Sequence, residues 1–293
     1  MWMKPAADVT VSPSLVRALV EDQHPDLAHL PPVKVAEGWD NTIFRLGDEL
    51  AVRLPRRAAS ATLIEHEQRW LPQLAARLPV AVPVPFRIGV PSRLFEWSWS
   101  IVRWLPGQSL LHASLTDAVT TIALERFLVA LHQPAPMDAP TNRWRGVRLE
   151  ARDAALHEHL QQLDGIVDPT AVLGLWDRAL STPPWHGPPL WLHGDLHPGN
   201  LLVSDGQLSG VIDFGDLTSG DPATDLAILW MLPPSIRATF NAWAGDEPDA
   251  LKMRARGWAL ALGLAYLAHS GDDAAMATLG QTTVAAALNE PWR

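Results

Sequence analysis

Over the first hundred residues apolar and polar side chains alternate between turn-formers, the period of half-buried strands. In VKVAEGWDNTIFRLGDELAVRLP, Val33 and Val35 alternate with polar residues and Gly38 punctuates; Ile43, Phe44 and Leu46 follow, Gly47-Asp48 turns the chain, and an apolar run resumes over 50–54. SATLIEHEQRWLPQLAARL then sets Leu63, Ile64, Leu71 and Leu74 near helical spacing, and strand-like runs return over 86–90 and 97–104. With a short helical pattern over 14–21 in front, the pattern predicts β-β-β-α-β-β.

Beyond WLPGQSL the period changes. Helical patterns cover 116–132, 151–163 and 171–180, separated by Pro-rich loops. LLVS and LSGVIDF read as a hairpin turned at Asp205-Gly206. The stretch 225–287 is mostly helical, rich in Ala and Leu, with breaks at Pro233-Pro234 and Gly245-Asp246. The expected organisation is α+β: an N-terminal antiparallel-sheet lobe over 1–104, a hinge over 103–107, and a larger, mainly helical lobe over 105–293.

Composition narrows the chemistry. The 293 residues contain no cysteine, which excludes disulfides, thiolate metal sites and cysteine nucleophiles. MWMKPAADVT lacks the apolar core of a signal peptide, and the longest apolar run, 258–268, is far short of the ~20 residues that span a bilayer. A cytoplasmic protein with no membrane partner is expected. The net charge of -9 is uneven: residues 1–104 carry net +1 and residues 105–293 net -10. That balance argues against nucleic acid at the second region and favours a cationic ligand there, or else a solvated acidic surface.

WLHGDLHPGNLL, over 191–202, crowds polar groups and turn-formers between apolar ends, and VIDFGD follows about a dozen residues later. Asp195, Asn200 and Asp213 thus stand at the ends of strands joined by a tight hairpin, where three hard oxygen groups can converge. Oxygen donors without Cys or paired His suit Mg²⁺. Mg²⁺ held by one or two side chains plus phosphates is the arrangement of phosphoryl transfer.

HGDLHPGN followed by IDFGD resembles the motif pair of the aminoglycoside phosphotransferase family, whose fold is similar to that of eukaryotic protein kinases. His193, Gly194, Asp195 and Asn200 meet the first motif, and 212–215 meets the second. The resemblance extends to EGWDN, LAVRLP, the helix bearing Glu67, WSWSIVRWLPG and GDPATDLA, and it implies a bilobal protein-kinase-like fold. It implies that Asp195 orients and helps deprotonate a substrate hydroxyl, that Asn200 and Asp213 bind Mg²⁺, and that Asp225 bonds the catalytic-loop backbone. His193 reads as a packed loop anchor, and His197 receives no role.

The chain departs from the kinase pattern twice. Arg53 stands where kinases place a phosphate-clamping Lys, which keeps the charge and adds a bidentate fork; its helix partner is Glu67 or, less favoured, Glu65. Only Gly38 marks the phosphate loop, leaving backbone N–H groups with Asn41 and Thr42 to cap phosphates. A purine is expected at the strand end Arg103, Trp104 and Leu105, from ATP or GTP. Trp185 and Trp191 either stack on a substrate ring or belong to the core.

The implied activity is transfer of the γ-phosphate of a nucleoside triphosphate to a hydroxyl of an aminoglycoside-type antibiotic, by a monomer or homodimer. Asp216, Asp221, Asp246, Glu247 and Asp249 are candidate acids for a small cationic acceptor. A macrolide or peptide-antibiotic kinase, a metabolic kinase of a sugar, choline-like or amino-alcohol substrate, and a silent nucleotide-binding regulator remain alternatives.

Overall fold

Runs of β-branched and apolar residues between glycine-containing turns build one antiparallel ladder. Strands β1 (Pro32–Glu37), β2 (Asn41–Leu46), β3 (Leu50–Pro55), β4 (Pro85–Gly89) and β5 (Trp99–Arg103) lie in the order β1-β2-β3-β5-β4. The central strand β3 is buried along its whole length, so Arg53 sits in the sheet interior, registered against Ile43 of β2 and Ser100 of β5. The structure is a computed structural model that describes residues 6–113, 117–240 and 248–289.

Helix α1 (Pro13–Gln23) starts where the Ser12 side chain accepts the Leu15 N–H and Pro13 enters the first turn. Its Val16, Leu19 and Val20 join Phe44, Leu46, Val52, Leu54, Trp99 and Ile101 in the core of the sheet unit. Helix α2 (Ala58–Ala75) buries Ser60, Ile64, Glu67, Leu71 and Leu74, a single stripe at three- and four-residue spacing. Glu67 therefore lies on the core-facing side of α2.

The chain divides into two units, one of Lys4–Gly107 with Gly210–Gly215, the other formed mainly by Gln108–Ser209 and Asp216–Arg293. The segment Gly210–Gly215, which the pattern alone assigns to the helical region, groups with the sheet: the Val211 N–H bonds the Ala81 carbonyl at 3.0 Å.

The helical unit contains α3 (Asp117–Leu131), α4 (Asp153–Gln162), α5 (Pro169–Leu180), α6 (Ala223–Leu226), α7 (Pro234–Thr239), α8 (Pro248–His269) and α9 (Ala274–Asn289). Short strands β6 (Gln108–Ser109), β7 (Leu190–Leu192), β8 (Leu201–Ser204), β9 (Gln207–Val211) and β10 (Thr218–Gly220) accompany them. Asp205 and Gly206 both take positive φ, the geometry of a tight hairpin turn. Trp176, Trp230 and Trp258 are fully buried in this unit.

Two features escape the sequence pattern. The pairing of β7 with β10 involves strands too short to show a period, and α8 ends before Ser270-Gly271 rather than continuing into α9. The start of the third helix at 116 and the break at Gly245-Asp246 lie outside the described residues. No helix among the described residues is long and apolar enough to cross a membrane.

His159 of α4 and His269 of α8 meet Nε2 to Nε2 at 2.9 Å. Burial, with His269 and Arg152 nearby, lowers His159 to about 4, and burial lowers His269 as well. A histidine lowered on folding contributes stability above its ordinary value that is lost as pH falls through the folded one. The thermal midpoint should fall between pH 6.5 and 4, and less steeply in His159→Gln, as a pH series of melting curves will report.

Candidate active site

The loop after β7 is held from below by one carboxylate. Asp225 of α6 accepts the His193 N–H at 2.8 Å and the Gly194 N–H at 2.9 Å, and His132 Nε2 lies 3.0 Å from it. Burial opposes its charge, yet His132, His193 and the loop amide keep the Asp225 carboxyl low. Gly194 takes φ +86°, and a Cβ there would stand 2.2 Å from the Asp216 carbonyl oxygen. Only glycine permits that turn and that approach together.

The turn brings Asp195 into a cage of donors within the helical unit. Its Oδ1 accepts from Arg145 Nη2 at 3.2 Å and from the Tyr266 hydroxyl at 3.3 Å. Its Oδ2 lies 3.6 Å from His197 Nε2. Because His197 Nδ1 accepts the Gly199 N–H at 3.0 Å, the neutral ring carries its proton on Nε2, toward Asp195. Burial opposes ionisation of Asp195, but His197, Arg145 and His193 hold it well below the usual carboxylate range. His193, fully buried, accepts the Asp195 N–H at 3.3 Å and so packs as a loop anchor.

Asn200 closes the same loop, its Nδ2 donating to the Asp195 carbonyl at 2.9 Å. That bond leaves the amide oxygen of Asn200 outside it. In the sheet unit, Arg53 contacts the Glu67 carboxylate and donates through Nη2 to Asp213 Oδ1 at 3.1 Å. Glu65 instead accepts from Ser98 Oγ at 3.1 Å. Burial pushes the Glu67 carboxyl up to about 7 against the pull of Arg53; Arg53, although buried, is raised by Glu67 and Asp213.

Asp213 takes φ +63°, a left-handed conformation that a non-glycine residue rarely adopts. Its side chain is 55% exposed. A half-open carboxylate is a hard oxygen donor of the kind that Mg²⁺ takes. Among the described residues no group of three or more His, Asp or Glu could hold a metal by itself.

The remaining predicted residues lie in β2, at the end of β5 and in the helical unit. Asn41 and Thr42 are buried in β2, and the Asn41 carbonyl accepts the Gly38 N–H at 2.8 Å. Arg103 pairs with Leu50 in the ladder and sets its guanidinium over Phe86; the Trp104 N–H is taken by the Glu49 carbonyl at 2.7 Å, with Arg45 over its ring. Leu105, half-buried, follows the strand end. Trp191 is core, while half-buried Trp185 lines a cavity of about 210 Å³ whose wall includes Asp221 and Arg254. Asp221 is bound to Arg254 at 2.7 Å and so committed within the unit. Asp216 accepts from Asn142 at 2.6 Å beside the Asp195 cage, and Asp249 is exposed at the start of α8. Asp246 and Glu247 lie outside the described residues.

The sequence pattern misses Asn142, Arg145 and Tyr266. Arg145 and Tyr266 reach Asp195 from 50 and 71 residues away. Tyr266 left one trace: it is the single tyrosine of the chain, in a helix of small and apolar residues.

A sequence model described as "Phosphotransferase enzyme family" (APH) matches residues 33–261. The chain belongs to this family. Two aminoglycoside 3'-phosphotransferases, from Escherichia coli and Salmonella typhimurium, are each 27% identical to it over 169 residues, 54% of this chain and 62% of theirs. The match thus spans less than two thirds of these curated relatives. Among solved structures, the GDP complex of aminoglycoside 2'-phosphotransferase-IIIa superposes with TM-score 0.73 at 20% identity, covering 95% of this chain and 99% of that one. The macrolide 2'-phosphotransferase MphH from Brachybacterium faecium superposes with TM-score 0.57 at 23% identity, covering 90% and 93%. Both likenesses are of fold: the α+β, protein-kinase-like architecture of phosphotransferases.

For this phosphotransferase-family loop, Gly194→Ala meets both a forbidden φ and a carbonyl at 2.2 Å. It should destabilise the protein by about 2–4 kcal/mol, measurable as a lowered urea midpoint.

Proposed function

We propose that this protein transfers the γ-phosphoryl group of ATP or GTP to a hydroxyl of a small molecule, an aminoglycoside-type antibiotic being the acceptor class. The observation that carries the reading is Asp195: a half-buried carboxylate, caged by Arg145, Tyr266 and His197, inside a family match that includes both motifs. The names of the curated relatives support the acceptor class.

In this reading Asp195 accepts the hydrogen bond of the acceptor hydroxyl and aims its oxygen at phosphorus. Held below the usual carboxylate range, it is a weak base. The proton therefore passes from the hydroxyl to Asp195 late, as the new P–O bond forms and the bond to the β-phosphate breaks, in keeping with the loose transition state of phosphoryl transfer. Arg145, Tyr266 and His197 fix the carboxylate so that orientation is set in advance. Arg53, backed by Glu67, addresses the nucleotide phosphates with a fork that matches their oxygens. Asn200 and Asp213 would hold Mg²⁺, which when bound offsets the charge of the phosphates.

Two variants test these roles separately. Asp195→Asn should lower turnover by about a hundredfold to ten-thousandfold while leaving Mg-nucleotide affinity within a few-fold. Asp213→Asn should weaken Mg-nucleotide binding itself. Release of ADP or GDP across aminoglycosides, macrolides, peptide antibiotics and amino-alcohols, with calorimetry of nucleotide binding, reads both; wild-type turnover in Asp195→Asn would overturn the assignment.

A further inference from the structure

The ring of His197 is fixed from several sides. The residue is 8% exposed, and its Nδ1 caps the short turn Pro198–Asn200 by accepting the Gly199 N–H at 3.0 Å. The ring lies so close to Gly199 that a Cβ there would stand 2.5 Å from His197 Cε1, and it meets the Tyr266 ring edge to face, centroids 5.5 Å apart. With Nδ1 used as an acceptor, the neutral ring carries its hydrogen on Nε2. Among the described residues that N–H makes no hydrogen bond. Asp195 Oδ2, which it faces, is 3.6 Å away, beyond the reach of an N–H···O bond.

The two oxygens of Asp195 are unequal in turn. Oδ1 is spent on the protein, accepting from Arg145 Nη2 at 3.2 Å and from the Tyr266 hydroxyl at 3.3 Å. Oδ2 has only His197 Nε2 before it, across the gap of 3.6 Å, on a side chain that is 26% exposed. A donor and an acceptor at that separation can both touch one oxygen atom, because bonds of about 2.8 Å to each close a triangle over the gap. The group that suits is a hydroxyl, which gives one hydrogen and accepts at its lone pairs. A carbonyl or phosphate oxygen brings no hydrogen for Oδ2, and a protonated amine brings no lone pair for the Nε2–H.

We propose that the acceptor hydroxyl is held at two points, donating to Asp195 Oδ2 and accepting from His197 Nε2, which makes His197 a catalytic residue. That this hydroxyl is the reacting one rests on the phosphotransferase reading above. In the step itself the hydroxyl oxygen bonds to the γ-phosphorus, the bond from that phosphorus to the β,γ-bridging oxygen breaks, and the hydroxyl proton passes to Asp195 Oδ2. His197 keeps its hydrogen throughout. Its part is to occupy one lone pair of the hydroxyl oxygen and leave the other aimed at phosphorus, whereas a hydroxyl held by Asp195 alone is free to turn about that single bond. The same clamp selects the alcohols of an amine-bearing acceptor against its ammonium groups.

Asparagine separates the two uses of the ring. Its side-chain oxygen can accept the Gly199 N–H as Nδ1 does, but its amide stops short of the place of Nε2; alanine loses both. His197→Asn should melt as the wild type does, bind Mg-ATP or Mg-GTP within a few-fold of wild type, and lose turnover about tenfold, toward kanamycin and toward water as the slow acceptor in nucleotide hydrolysis. His197→Ala should lose turnover to the same degree and melt lower as well. In an Asp195→Asn background His197→Asn should cost a further several-fold, since its contact is with the hydroxyl itself. Wild-type rates in His197→Asn would overturn the contact and leave a capping histidine. No further loss in the Asp195→Asn background would overturn it in favour of a histidine that acts through Asp195. Nitrogen NMR of the histidine rings supplies a readout without turnover: the His197 hydrogen should be on Nε2, and a hydrogen on Nδ1 overturns the clamp alone. Neither transfer nor hydrolysis in wild type with nucleotide bound would overturn the phosphotransferase reading, and this step with it.

Discussion

Asp225 is a carboxylate with no exposed surface, and its two oxygens are spent on the backbone of the loop that follows β7. An ion in that position is stable only while its donors are in place, because burial alone would drive a proton onto it. The His193 and Gly194 amides and the His132 ring supply those donors. The consequence is reciprocal: the charge holds the loop, and the loop holds the charge. Gly194 can then turn with its Cα against the Asp216 carbonyl, and Asp195 emerges from the turn in one orientation.

Around that orientation the helical unit builds a second layer of opposed charges. Arg145 and Tyr266 take one oxygen of Asp195, His197 faces the other, and Asn200 ties off the loop carbonyl. The sheet unit solves a parallel problem by a different route, with the Arg53 charge placed at the centre of a fully buried strand and compensated by Glu67 from the buried stripe of α2. In each unit a reactive polar group is fixed by a counter-charge that the fold itself immobilises.

Much of this was legible in the chain. The alternation over the first hundred residues gives the order of strands and helix in the sheet unit, since period two and period 3.6 leave different imprints on a one-sided core. The spacing of Asp195, Asn200 and Asp213 marks the candidate site, because turn-formers and oxygen donors crowd where apolar residues would otherwise continue. Even the choice of Glu67 over Glu65 was available from the stripe of Ile64, Leu71 and Leu74, which passes through 67. What could not be read are partners brought together across the chain. Arg145 lies in a Pro-rich stretch without period, and its importance comes from Asp195 and Asp216, tens of residues away.

The central claim is that a phosphoryl group passes from nucleotide to an acceptor hydroxyl at Asp195. Phosphorus NMR of wild-type protein with ATP or GTP, Mg²⁺ and an aminoglycoside tests it most directly, because it distinguishes the products by bond. The account predicts a new phosphomonoester resonance, coupled to the carbinol proton of the acceptor, growing in step with the nucleoside diphosphate. Release of inorganic phosphate alone, across every hydroxyl-bearing acceptor tried, would contradict it.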